Sequence, residues 1–160
     1  MRVFPRHGAT ASIAALALAA TLSTAAAGAT VGGKMARYAN WLGSPWTCTL
    51  GTATYFATYS VAPGNTIHGH FYSKEGSEDA YFGYDAKRKR YWAASADSNG
   101  ETESQTSADG VTFAGTLNDG HGTSKASNAY TISSARKWVV RARGSADGHA
   151  YDVLATCVRK

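Results

Sequence analysis

At 160 residues the chain is sized for one domain, and a net charge of +5 without a dense basic stripe argues against a nucleic-acid-binding protein. Its most apolar stretch, Ala9 to Leu22, is short of the roughly 20 residues that a membrane-spanning helix needs. No other run is long enough either, so an integral membrane segment is not expected.

The N-terminus reads as an export signal. Arg2, Arg6 and His7 precede the apolar run, and Ala25-Ala26-Ala27 offers a small-residue cleavage site. Residues 1–27 are therefore assigned as a signal peptide with Gly28 first in the mature protein; a cut after Ala29 is nearly as good. The expected location is secreted or periplasmic. Cleavage leaves 14 Lys+Arg against 11 Asp+Glu, a charge of +3. Residues 28–160 form the single remaining domain.

Lys34 to Leu42 is the one helical stretch, with Met35, Tyr38, Ala39 and Leu42 at helical spacing and Gly43 and Pro45 ending it. Short strands follow. They are Trp46–Leu50, Tyr55–Val61, Ile67–Ser73, Asp79–Tyr84, Arg90–Ala96, Glu101–Ser107, Val111–Leu117, Ala126–Ile132, Lys137–Arg143 and His149–Val158. Turns such as Pro63-Gly64-Asn65, Ser98-Asn99-Gly100, Asp109-Gly110 and Asp147-Gly148 separate them. Nine or ten strands at this spacing predict an all-β fold, an antiparallel meander closed into a barrel.

Cys48 lies on the first strand and Cys157 on the last. In an oxidising compartment they are expected to pair, closing a loop of 110 residues worth about 4–5 kcal/mol in the chain-entropy model. Such a bridge makes the first and last strands neighbours, which is what closing a meander requires. With no C-x-x-C pair, neither a zinc site nor a redox motif is indicated.

Several segments together carry a family likeness: Trp41-Leu42-Gly43-Ser44-Pro45-Trp46-Thr47-Cys48, Tyr81-Phe82-Gly83-Tyr84-Asp85, Arg90-Tyr91-Trp92, Ser98-Asn99-Gly100 and Thr156-Cys157-Val158-Arg159-Lys160. Over residues 38–160 the chain resembles bacterial secreted domains of unknown function with a calycin-type barrel, related in architecture to lipocalins, fatty-acid-binding proteins and nitrobindins. The resemblance implies a barrel with a central cavity and no particular activity. Ser44-Pro45 separates Gly43 from Trp46, where lipocalins have Gly-x-Trp and nitrobindins a Gly-rich extension. His149 is the late histidine that a nitrobindin-like haem site would use, here directly after the Asp147-Gly148 turn.

The 18 aromatic residues are the richest chemistry, and many alternate along strands. They either fill the barrel or line a cavity for a small hydrophobic or amphipathic ligand. The candidate ligand-binding set is Tyr55, Tyr59, His68, His70, Phe71, Tyr84, Trp92 and Trp138. His68 and His70 share a strand face, and which face is open; a metal would need a third ligand from His121, His149 or a carboxylate, and no metal is assigned. Glu78-Asp79 and Glu101-x-Glu103 are paired acids of the kind glycosidases use, but Glu101 and Glu103 are expected on the solvent side of a polar strand. Lys87-Arg88-Lys89-Arg90 reads as a solvated hairpin tip. Neither G-x-S-x-G nor H-E-x-x-H occurs, so no catalytic residue is named and a binding protein is expected ahead of an enzyme. No cofactor is assigned. The first reading is an exported small-molecule-binding barrel, monomeric or weakly dimeric. The alternatives are a haem-binding or enzymatic barrel using His149, and an envelope-interaction protein using the basic hairpin.

Overall fold

The computed structural model of the protein describes residues 30–43 and 45–159. The expected signal peptide, residues 1–27, lies outside the described residues. Among them no helix is long and apolar enough to cross a membrane.

The first element is a 3-10 helix, Gly33–Trp41, and not the α-helix that the spacing predicts. Its buried side chains are Met35, Tyr38 and Trp41. A three-residue period stacks them in one row, whereas an α-helix would bring Ala39 and Leu42 to the core face instead of Trp41. Burying the largest ring in the row outweighs the poorer hydrogen-bond geometry of the tighter helix.

Ten strands follow: β1 Trp46–Leu50, β2 Ala53–Ala62, β3 Thr66–Ser73, β4 Gly76–Asp85, β5 Arg90–Asp97, β6 Thr102–Ser107, β7 Thr112–Asn118, β8 Thr123–Ser134, β9 Lys137–Ala146 and β10 His149–Val158. Each pairs antiparallel with its sequence neighbours, and β10 pairs with β1, so the meander closes into a barrel without an open edge. At that seam Cys48 stands opposite Cys157, and the two form a disulfide. Side chains alternate strictly: Tyr55, Ala57 and Tyr59 point in from β2, and Ile67, Gly69 and Phe71 from β3.

The 3-10 helix closes one end of the barrel. The Tyr38 hydroxyl donates to the Gly110 carbonyl and Arg37 donates to that of Asp109, both in the β6–β7 turn. Asn65, in the β2–β3 turn, exchanges two hydrogen bonds with the Gly32 backbone at 2.8 and 3.0 Å. These anchors hold Trp41 inside the barrel, fully buried, with its ring 4.8 to 5.7 Å from those of Tyr38, Tyr59, Phe82, Tyr130 and Trp138. Trp46 donates its indole N–H to the Trp41 carbonyl at 2.9 Å. This half is a packed aromatic plug. The other end carries the β1–β2, β3–β4, β5–β6, β7–β8 and β9–β10 turns, and the interior beneath those turns is different.

Candidate functional site

Away from the plug, the inward positions of neighbouring strands are small or polar. On β4 they run Glu78, Ala80, Phe82; on β5, Ala93, Ser95, Asp97; on β6, Glu103, Gln105, Ser107; on β8, Asn128 and Tyr130. Strand register puts Glu78 opposite Asp97, Ala80 opposite Ser95, and Ser95 opposite Glu103; Phe82, Ala93 and Gln105 form the next row. Ala80, Ala93 and Ser95 are short, and beside them a small space opens toward solvent and encloses room for about one water. Phe82, Tyr130 and the alanines give it an apolar floor, and Glu78, Ser95, Glu103, Gln105 and Asn128 give it polar walls. A second opening, with room for about one water as well, shares Glu78, Ser95 and Glu103 and adds Asp97, Glu101, Thr102 and Leu117. The second, acidic opening, the mouth, is bordered by Glu78, Asp97, Glu101 and Glu103.

The polar walls form a directed network. Gln105 Nε2 donates to Glu103 Oε1 at 2.8 Å. Asn128 Nδ2 donates to Glu103 Oε2 at 3.1 Å and to Gln105 Oε1 at 3.2 Å. Two acceptors around one nitrogen set the orientation of the Asn128 amide. Its Oδ1 then has no partner among the described residues, although the residue is 97% buried. Leaving such an acceptor unsatisfied costs about 1–3 kcal/mol, and native interiors seldom do it without a reason. Glu78 is also buried. Desolvation pushes its carboxyl up to about 7, with a Ser95 hydrogen bond opposing and the charges of Glu103 and Asp97 adding to the rise.

The sequence-predicted residues fall mostly elsewhere. Tyr55, Tyr59, Phe71 and Trp138 do face inward, but they are packed ring against ring and none lines the space. Tyr84 lies toward the plugged end, edge-on to Tyr91. Trp92 is on the outer face, with its indole lying over Gly83; a Cβ there would come within 2.4 Å of the ring, so the position requires glycine. His68 and His70 also face outward, since Ile67, Gly69 and Phe71 take the interior. Both imidazoles hydrogen-bond Asp79 Oδ1, His68 through Nε2 at 2.7 Å and His70 through Nδ1 at 3.0 Å. His149 is exposed at the rim. The run 87–90 forms an exposed hairpin tip, folded around Asp85 by hydrogen bonds from Lys87 and Arg88. Among the described residues no three His, Cys, Asp or Glu side chains converge as a metal site requires.

The expectation for Glu101 and Glu103 is corrected. Glu103 points into the barrel and is only 9% exposed, and Glu101 is half-buried at the mouth. Strand β6 is polar on both faces, with Thr102, Ser104 and Thr106 outside, so its composition cannot mark the inner face. The missed residues Ser95, Gln105 and Asn128 carry no motif. Stepping back from Phe82 in twos does reach Ala80 and Glu78, a small-then-acidic inward series that signals a polar void.

No protein-family profile matches the chain, and no curated protein is significantly similar to it. The closed ten-strand barrel is consistent with the calycin-type resemblance, whereas the central cavity which that resemblance also implied is largely filled by the aromatic plug.

Proposed function

We propose that this is an exported small-molecule-binding barrel. Its ligand enters through the acidic mouth and lies with an apolar part on Phe82 and Tyr130 and a polar part against Glu78, Ser95 and Asn128. The observation that carries this reading is Asn128, which has a buried Oδ1 without a partner among the described residues and lines a small space with an apolar floor and polar walls. Small-molecule sites combine an apolar lining with a few placed polar groups in this way. The enclosed room is that of about one water, so a ligand larger than this requires the lining side chains to part. Export is supported by the cystine, which persists in oxidising compartments.

Native mass spectrometry of protein taken from the culture fluid or periplasm of its own producer tests the reading. The polypeptide is expected to begin at Gly28 and to carry a small adduct. The adduct should be missing from Ala93→Phe, whose ring fills the space. Protein without an adduct, whose Phe82 and Tyr130 NMR resonances also ignore a fragment library, would overturn the binding proposal. An N-terminus that retains residues 1–27 would overturn export.

A further inference from the structure

Closing an antiparallel meander sends alternate turns to opposite ends of the barrel, and here the charges separate with them. The plugged end carries the 3-10 helix and the β2–β3, β4–β5, β6–β7 and β8–β9 turns. Lys34 and Arg37 come from the helix, four cations from residues 87–90, and Arg136, Lys137 and Arg159 from the β8–β9 turn and the chain after β10. Against these nine, the same turns and their flanks hold two acids, Asp85 and Asp109. The turns of the opposite end reverse the balance: Glu75, Asp97, Glu101, Asp119 and Asp147 stand in or beside them with one cation, Lys74.

The charge of the basic end is free to act outward. Asp85 accepts from the Lys87 and Arg88 amides and from the Arg88 guanidinium, and Asp109 Oδ1 accepts from Ser107, Val111 and Thr112, so both acids serve to fold their own turns. Lys34, Lys87, Lys89, Arg90, Arg136 and Lys137 are exposed and make no ion pair among the described residues. Next to them lie two exposed apolar side chains, Ile132 near the end of β8 and Val158 at the end of β10, the latter opposite Lys137 in the β9–β10 ladder.

From this arrangement we infer that the plugged end docks on a lipid surface rich in anionic phospholipid headgroups. Each Lys or Arg held within a Debye length of such a surface strengthens binding several-fold. The cations come from elements spaced around the barrel end, so a plane meets them together, whereas a polyanionic chain lying along one side would reach only some. Ile132 and Val158 supply apolar groups at headgroup depth, which a purely ionic partner does not use. The headgroups repel the acidic end, so the barrel stands with its mouth, bordered by Asp97 and Glu101, turned away into solvent.

The mature protein is mixed with vesicles of phosphatidylglycerol and phosphatidylcholine at about 1:2, and binding is read by sedimentation in about 0.05 M salt. Binding is expected there, with none to phosphatidylcholine alone and at least about a 10-fold loss in about 0.5 M salt. Lys87→Ser combined with Lys89→Asn should weaken it about 10-fold; Asn suits the φ of 53° at position 89. Lys74→Ser combined with Lys125→Ser removes the same charge near the acidic end and should change binding less than about 2-fold. Equal losses from the two pairs would reduce the effect to net charge and overturn the docking face. Failure to bind the mixed vesicles, or equal binding to phosphatidylcholine alone, would overturn the anionic surface. Preference for soluble polyphosphate over vesicles of equal phosphate content would make the partner a polyanion and overturn the lipid.

Discussion

The two halves of the barrel interior face each other across the same ten strands and are built in opposite ways. Around Trp41, neighbouring rings fill the space and the 3-10 helix seals the end. Around Asn128, alanines and a serine leave space and polar groups border it. Apolar packing gains from every contact made, so the first half is suited to holding the fold. The second half keeps a buried acid and an unsatisfied amide oxygen, both unfavourable in an empty protein, whereas the plug offsets the unpartnered indole N–H groups of Trp41 and Trp138 with ring packing. Proteins tolerate such features where a ligand relieves them, and stability from one half permits the other to remain incomplete.

Trp41→Ala should cut deepest into this contrast. It removes the ring shared by five aromatic neighbours and is expected to lower stability by about 3–5 kcal/mol in urea unfolding. A loss below about 1 kcal/mol would mean that the plug is not what holds the fold. Next comes the seam: replacing Cys48 and Cys157 by Ala should cost about 2–5 kcal/mol, with one cooperative transition retained if the two halves unfold together. Separate transitions would sharpen the contrast into two folding units.

Glu78→Gln is expected to act in the stabilising direction. Its carboxyl titrates near 7 in the folded protein against an ordinary 4.5. Below about 4.5 it is protonated in both states and has no differential effect. Between the two values the folded state holds more protons than the unfolded one, so stability falls as pH rises, and above 7 the full penalty of about 3 kcal/mol is in place. The variant should therefore gain up to that amount at pH 8 and nothing at pH 4; equal unfolding curves at pH 8 would show that the acid is not desolvated. At the small end, His68→Ala on the outer face should change stability by less than about 0.5 kcal/mol and leave unaltered any small adduct seen by native mass spectrometry. A larger effect would move function to the exterior.

Much of the fold was legible from strand alternation and turn residues, because a half-buried strand writes its period of two directly into the chain. The cystine was legible too, since only closure brings Cys48 next to Cys157. The 3-10 helix was readable only in part. Met35 and Tyr38 fit an α-helical stripe as well as a three-residue one, and Trp41 breaks the tie only once there is a cavity for its ring. The site was the least legible. Tyr59 and Trp138 suggested a ligand by their chemistry, yet aromatic rings that converge in a narrow barrel pack against one another and exclude a guest. Glu103, on a strand with polar residues on both faces, gave no sign of its direction.

What the sequence alone determined was the set of strands, their order and the bridge between the ends, all of which depend on local periodicity and on two unique thiols. What the tertiary structure decided was which face of each strand points inward and where the filling stops. Those outcomes depend on register across β4, β5, β6 and β8, which are brought together only by closing the sheet. Ala80, Ala93 and Ser95 are ordinary residues in the chain, and it is their meeting with Glu78 and Asn128 inside the barrel that leaves a space and gives it a charge.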